Sequence, residues 1–141
     1  MRLTFPGVAL VLMACSQGAA RSPSSLPAQT TAPSFAGELP LQMTLRGSSY
    51  SGFVTLLQHN DSVSGPFRVV GPGTVSGTTK GRVTPVELQM ELAYSVTENG
   101  CKGSLRMVGP IGANGSTTGT VEAQDSCVGR MTGTFTLGAH R

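Results

Sequence analysis

Three cysteine thiols, at Cys15, Cys101 and Cys127, have the widest chemical scope of any side chains in this sequence. A cysteine can be alkylated to a thioether, oxidised to a disulfide or bound to a metal ion. Groups for other chemistry are few, because the 141 residues include only seven Asp and Glu and two His. No Ser–His–Asp, Cys–His or paired-carboxylate arrangement has a meaningful spacing, so the sequence predicts a protein that is not an enzyme.

The first cysteine follows a short apolar segment at the N-terminus. Arg2 precedes a run from Leu3 to Ala14 that carries no charge and is polar only at Thr4. Such a run has the length of a signal-peptide core and falls short of the roughly 20 residues that a membrane-spanning helix needs. The segment is therefore typical of an export signal.

The residues that end this run, Leu12, Met13, Ala14 and Cys15, resemble the lipobox of bacterial lipoproteins. The family pattern has an aliphatic residue three positions before an obligatory cysteine and a small residue directly before it. The resemblance implies diacylglyceryl transfer to the Cys15 thiol, cleavage after Ala14, and acylation of the new amino group by fatty acids such as palmitate. It also implies the outer membrane, since Ser16 replaces the Asp that retains many lipoproteins at the inner membrane.

The cysteine count agrees with this resemblance. Three cysteines leave an odd thiol in an exported chain, where an unpaired thiol is a liability. If Cys15 becomes a thioether, Cys101 and Cys127 remain as a pair in an oxidising compartment, so we expect a disulfide between them. A metal site is not expected, because no His accompanies the two cysteines. An ordinary secretory signal, cleaved after Ala20, is the alternative.

Composition divides the chain into a signal peptide at 1–14, a lipidated N-terminus with a flexible linker at 15–37, a domain at 38–138 and a tail at 139–141. The linker is rich in Ser, Ala, Pro, Thr and Gln, which is typical of a tether. Loss of Arg2 takes the formal charge from +3 to +2, which is too mild for a nucleic-acid-binding protein.

The domain has the two-residue periodicity of β-strands and no helical periodicity. Its clearest strand places six apolar residues on one face, which are Val86, Leu88, Met90, Leu92, Tyr94 and Val96. Many strands also carry a glycine on the apolar face, which indicates strong coiling, as in small closed barrels. The pattern predicts eight strands, at about 39–46, 50–58, 63–70, 74–83, 85–98, 101–108, 116–123 and 127–137.

These strands predict an all-β fold, in which a single antiparallel meander closes into a small up-and-down barrel. A two-sheet sandwich is the alternative, because periodicity does not distinguish closure from stacking. The organisation resembles small secreted or lipid-anchored bacterial β-barrel domains. The Trp-containing signatures of lipocalins and avidins are absent, since the chain has no Trp, so no ligand-binding residues follow from those families.

Two local predictions test the barrel. Asn99 and Gly100 are typical of a two-residue hairpin turn, which would place Tyr94 opposite Leu105. In a sequential meander, Cys101 and Cys127 begin strands that lie two spacings apart, or about 9–10 Å, which is beyond the reach of a disulfide. We therefore expect Cys127 to lie on the turn before its strand.

The predicted function is that of a lipid-anchored envelope lipoprotein whose non-catalytic barrel is a structural or protein-interaction module. The alternative is binding of a small apolar ligand in the barrel lumen, as in lipocalins. The choice depends on whether apolar side chains fill the interior. No cofactor is expected. The expected partners are the membrane, through the acyl chains on Cys15, and an envelope protein or small apolar ligand, but not nucleic acid.

Overall fold

A computed structural model describes residues 33–138, and within them every regular element is a β-strand. The strands are β1 (Gly37–Leu45), β2 (Ser48–His59), β3 (Ser62–Val70), β4 (Thr74–Val83), β5 (Glu87–Val96), β6 (Lys102–Pro110), β7 (Thr117–Asp125) and β8 (Gly129–Leu137). The interpretations placed on Ala14, Cys15 and residues 139–141 lie outside this range. No helix among the described residues is long and apolar enough to cross a membrane.

The eight strands form a closed antiparallel barrel in sequential order, which confirms the predicted meander. Closure occurs between β1 and β8, where Leu41 lies opposite Leu137 and Leu45 lies opposite Gly133. A sandwich would leave these two strands in edge positions. The hydrogen bonds between β1 and β8 therefore exclude the sandwich, and none of the eight described strands is left at an open sheet edge.

The hairpin between β5 and β6 differs from the sequence-based expectation by two residues. Tyr94 lies opposite Gly103 instead of Leu105, although the inward and outward faces of both strands remain as predicted. Val96 donates its amide to the carbonyl of Cys101, at 2.7 Å, and thereby closes the loop. The prediction of a two-residue turn is wrong, and the loop has four residues.

Side-chain capping explains this longer loop. The Asn99 carboxamide oxygen accepts the amide of Cys101 at 3.0 Å, and Gly100 adopts a left-handed conformation with φ of 70°. The Gly100 amide then donates to the carbonyl of Val96 at 2.9 Å. An asparagine that bonds to the backbone two residues later builds a turn of its own, which competes with the tight hairpin that Asn-Gly otherwise favours.

Two element ends also differ from the predictions. Val86 was expected on the inner face of its strand, but it precedes β5 and is exposed, because the chain turns there and alternation no longer applies. The barrel also begins before the expected boundary at residue 38. Gly37 opens β1, and Phe35 is only 1% exposed and belongs to the hydrophobic core.

Apolar side chains fill the barrel interior. Twelve large ones are almost completely inaccessible, and they come from the strands and from Phe35: Phe35, Phe135, Leu39, Leu41, Leu56, Leu88, Met90, Leu92, Met107, Leu137, Val54 and Val63. The glycines on the inner face mark points where a neighbouring strand passes so closely that a Cβ atom would overlap its backbone. The interior is therefore a packed core, as in other small barrels, rather than an open lumen.

The hydroxyl of Thr117 is an exception within this core. Thr117 is fully buried, and its Oγ1 has no hydrogen-bond partner among residues 33–138. A buried hydroxyl without a partner is unfavourable, and Val has nearly the same shape without this polar group. We expect Thr117→Val to raise the free energy of unfolding by about 1 kcal/mol, measured by denaturant titration.

The control for this prediction is Thr120→Val, at an exposed position on the outer face of the same strand. That variant should change the free energy of unfolding by less than about 0.5 kcal/mol, as is usual for surface substitutions. A loss of stability in Thr117→Val would contradict the prediction and would indicate that a bound water satisfies the hydroxyl.

Candidate functional site

The structure joins Cys101 and Cys127 in a disulfide, which is the pair expected from the sequence. Their Cα atoms are 5.8 Å apart, although β7 lies between β6 and β8 in the barrel order. This distance is possible because Cys127 lies on the turn between β7 and β8 and not in a strand. The disulfide therefore spans the end of β7, as the sequential strand order required.

The barrel end opposite the disulfide is closed by the segment that enters β1. Phe35 occupies the core there, and its amide donates to Oε1 of Gln58 at 2.7 Å. Nε2 of the same Gln58 donates to the carbonyl oxygens of Pro33, at 3.3 Å, and Asn60, at 3.0 Å. Gln58 thus attaches the entering chain to the last residues of β2, and we call this end the closed end.

The other end, which we call the mouth, contains a pocket with a volume of about 220 Å³. The pocket lies among the turns that follow β1, β3, β5 and β7, and the disulfide is part of its wall. Apolar and aromatic side chains line it, including Met43, Tyr50, Val75, Tyr94, Val96 and Met131. Its volume is below the usual range for drug-sized ligands, so the pocket suits only a small molecule.

A buried tyrosine–carboxylate pair forms part of the mouth wall. The Tyr94 hydroxyl donates to Oδ2 of Asp125 at 2.6 Å, and both side chains are buried. Oδ1 of Asp125 accepts the amides of Cys127, at 2.8 Å, and Val128, at 3.1 Å. The carboxylate therefore caps the β7–β8 turn and positions the disulfide.

Hydrogen bonds keep Asp125 ionised and Tyr94 neutral in this pair. Burial opposes the charge on Asp125, but the bonds from Tyr94 and from the amides of Cys127 and Val128 outweigh it and lower the pKa of the carboxyl below its usual value. Burial first, then the hydrogen bond to Asp125 and its charge, raises the pKa of Tyr94 far above its usual value. At neutral pH the pair is a carboxylate with a neutral phenol donor.

A second carboxylate lies at the rim of the mouth. Glu98, in the β5–β6 loop, accepts the amide of Thr74 with both oxygens, at 2.9 and 2.8 Å. These backbone hydrogen bonds lower the pKa of Glu98. The amide of Thr97 also donates to the carbonyl of Thr74 at 3.0 Å, so this loop is attached to the beginning of β4.

Donor atoms of Cys101, Asp125 and Cys127 lie within 4.8 Å of one another, a spacing that could suit a metal ion. Metal binding by cysteine requires the deprotonated thiol. Because both sulfurs are consumed by the disulfide, and the Asp125 oxygens already accept three hydrogen bonds, we assign this group to turn structure.

No protein-family model matches this chain, and no curated protein matches it with significance. The function must therefore be argued from the surfaces that the barrel presents.

The outer surface of β4–β8 carries alternating charges around a shallow groove of about 530 Å³. Lys80 pairs with Glu91 at 3.3 Å, and Arg130 pairs with Glu122 at 3.4 Å. All four side chains are more than half exposed, so the pairs contribute little stability. Arg82 similarly pairs with Asp61 at 2.6 Å. These features are typical of a solvated face.

The outer surface of β1–β3 carries three large exposed apolar side chains among polar and charged ones, with Arg68 directly opposite Phe53. Phe53 is 53% exposed, Leu57 is 74% exposed and Val70 is 53% exposed. Together with Pro40, which lies opposite Phe53, and Pro66 these residues form what we call the apolar face. The sequence contains a signal for it, because the apolar pairs Phe53-Val54 and Leu56-Leu57 interrupt strict alternation and place large residues on both sides of β2.

The tyrosine–carboxylate pair predicts the acid stability of the barrel. A carboxyl whose pKa is lower in the folded state stabilises the fold above its unfolded pKa, and this stabilisation is lost as the pH falls through the folded pKa. Tyr94→Phe removes one hydrogen bond to the charged Asp125. We expect a loss of about 2 kcal/mol near neutral pH, and an acid-unfolding midpoint shifted to higher pH, monitored by circular dichroism.

Tyr50→Phe is the matched control, since Tyr50 also lines the mouth and only Tyr94 is bonded to Asp125. It should leave the acid midpoint unchanged. If the two variants unfolded at the same pH, the bond to Asp125 would not be the source of the acid stability.

Proposed function

We propose that this protein is a bacterial lipoprotein that carries its barrel on an acylated Cys15, at the outer membrane. Two observations support the proposal. The residues from Leu12 to Cys15 resemble a lipobox, and the disulfide accounts for Cys101 and Cys127. Cys15 is then the one cysteine of the sequence outside a disulfide, as a lipid-modified cysteine must be.

The anchor is tested by expression of the full chain in a Gram-negative bacterium with metabolic labelling by a palmitate analogue. The native chain should incorporate the label and fractionate with the outer membrane, whereas Cys15→Ala should do neither. Ser16→Ala is the control and should behave as the native chain does. Ser16→Asp should move the labelled protein to the inner membrane, and its failure to move would reject only the choice of membrane.

We further propose that the barrel is a protein-interaction or structural module and does not catalyse a reaction. The observation that carries this proposal is the distribution of apolar side chains. The interior is packed with them, and yet Phe53, Leu57 and Val70 remain exposed on one outer face. Large apolar side chains that stay exposed and are rimmed by polar residues are typical of protein contact sites, so a partner protein of the envelope would bind the apolar face.

Site-specific cross-linking in cells tests this proposal. A photoreactive phenylalanine analogue at position 53 should give one discrete protein adduct after irradiation. The same analogue at position 106, on the charged outer surface, is the control and should give none. Absence of any adduct at position 53, or equal adducts at both positions, would contradict an interaction through the apolar face.

The second candidate function is the binding of a small apolar ligand. The pocket of about 220 Å³ at the mouth favours it, because Tyr50, Met43 and Met131 form a concave apolar surface there. The filled interior confines such binding to the mouth. Native mass spectrometry of protein released gently from membranes should then detect a co-purifying small molecule, which would be lost from a variant with a filled mouth, such as Val75→Phe.

A further inference from the structure

The charged side chains that line the mouth pocket are all acidic. Asp125 and Glu98 belong to its wall, and the part of the chain that the structure describes contributes no Lys, Arg or His to the lining. Three basic residues adjoin lining residues in sequence but do not line the pocket themselves. Arg46 lies in the β1–β2 turn, and Lys102 and Arg130 lie on the outer surface of β6 and β8. The pocket therefore combines apolar walls with a negative potential.

Hydrogen bonds maintain this negative potential. Asp125 and Glu98 accept backbone amides, and Asp125 also accepts the Tyr94 hydroxyl, so both carboxyls stay ionised at neutral pH. Their roles differ. Asp125 is buried and fully engaged in the turn, so it contributes its field, whereas Glu98 is exposed and can contact a ligand at the rim.

Aromatic rings add a second preference for positive charge. Tyr50 and Tyr94 both line the pocket, and the face of a tyrosine ring attracts ammonium and guanidinium groups. An anionic ligand would meet two carboxylates and no cation. A neutral apolar ligand would use the walls but not the rim.

We propose that the mouth binds a small amphipathic cation, whose short apolar body enters the pocket and whose ammonium or guanidinium group lies beside Glu98. The proposal rests on the second candidate function, ligand binding at the mouth, and specifies the chemical class of the ligand. The pocket has the volume of about seven water molecules, which limits the apolar body to a short chain or one ring.

The chain contains its own reporter for this site. It has two tyrosines and no tryptophan, and both tyrosines line the mouth. Tyrosine fluorescence should therefore respond to occupancy of the mouth, with no contribution from tryptophan or from tyrosines elsewhere in the protein. The full chain carrying Cys15→Ser is suitable, because it avoids acyl chains and detergent that would compete for the pocket.

The test compares hexyltrimethylammonium with hexanesulfonate, which have the same alkyl chain and opposite charge. The cation should change tyrosine fluorescence saturably, with a dissociation constant at least about tenfold lower than that of the anion. Glu98→Gln should weaken cation binding about threefold and should not weaken binding of the anion. The loop should keep its structure, since a glutamine oxygen still accepts the Thr74 amide.

An added positive charge in the pocket wall gives the sharper variant. Met131→Lys places an ammonium group in the mouth wall, and the long side chain can extend to the rim without disrupting the core. It should abolish cation binding. Thr132→Lys adds the same charge at the adjacent outward position and should bind the cation as the parent chain does.

The possible results distinguish the preference for a cation from ligand binding at the mouth in general. Cation binding that is lost in Met131→Lys and retained in Thr132→Lys supports it. Equal binding of both probes would overturn the charge preference and leave ligand binding at the mouth in place. If neither charged probe altered fluorescence at millimolar concentration but hexanol, a neutral probe with the same alkyl chain, did so, this inference alone would be rejected. If hexanol also had no effect, the ligand-binding candidate would be rejected with it.

Discussion

Replacement of both Cys101 and Cys127 by alanine is expected to lower the free energy of unfolding by about 3.5 kcal/mol. The disulfide joins positions 26 residues apart, and the estimate follows from the chain entropy that this cross-link removes from the unfolded state. Because most of the effect lies in the unfolded chain, the folded barrel should persist in the double variant.

We expect the barrel to stay folded in the double variant because hydrogen bonds hold the turn between β7 and β8 independently of the disulfide. The Ser126 amide donates to the carbonyl of Lys102 at 2.8 Å, and the Lys102 amide donates to Oγ of Ser126 at 3.0 Å. Asp125 caps the turn from the inside. The double variant should therefore keep the circular dichroism spectrum of the native barrel below its unfolding transition.

Denaturant titration with and without dithiothreitol provides the measurement and its control. Reductant should destabilise the native chain by about the same 3.5 kcal/mol and should not affect the double variant. A loss below about 1 kcal/mol would contradict the chain-entropy argument and would indicate residual structure in the unfolded chain.

Gly133→Ala is expected to cost still more, about 4 kcal/mol of unfolding free energy. A Cβ atom at Gly133 would overlap the backbone carbonyl of Thr44, in the neighbouring strand β1. A backbone carbonyl cannot rotate away as a side chain does, so β1 and β8 would have to separate. The pairing of these two strands closes the barrel, so the substitution weakens that closure.

Gly100→Ala is the matched control for this prediction. Gly100 has φ of 70°, and a Cβ atom there would meet open space. Its replacement should cost about 1 kcal/mol, through backbone conformation alone. The contrast between the two variants isolates the cost of close strand approach, and equal losses in thermal or chemical unfolding would show that the overlap at Gly133 is relieved cheaply.

Most of the barrel could be predicted because strand alternation is a direct consequence of burying one face. Leu88, Met90 and Leu92 alternate with polar residues, and the structure buries all three. The repeated inward glycine correctly indicated a strongly coiled sheet. The position of Cys127 on a turn followed from the fixed spacing of strands, which is a geometric constraint independent of residue preferences.

Other features depend on tertiary contacts that have no periodic signal. Phe35 stands alone in a Ser- and Pro-rich segment, and only its contact with the barrel core makes it structural. The Asn99–Gly100 pair favours a tight turn locally, but the bond from the Thr74 amide to the Glu98 carboxylate and the Asn99 cap favour the longer loop. The mouth pocket arises where four turns meet, so no single segment of sequence encodes it.

The attachment of Phe35 and Gln58 has a mechanical consequence. Any tension on the preceding chain is transmitted to β1, which pairs with β2 along its whole length and with β8 from Leu41 to Leu45. A pull along a strand with two neighbours loads many hydrogen bonds in shear at once, whereas a pull on a terminal hairpin would open bonds one at a time. A barrel held from this end would resist forced extension, and its mouth would point away from the point of attachment.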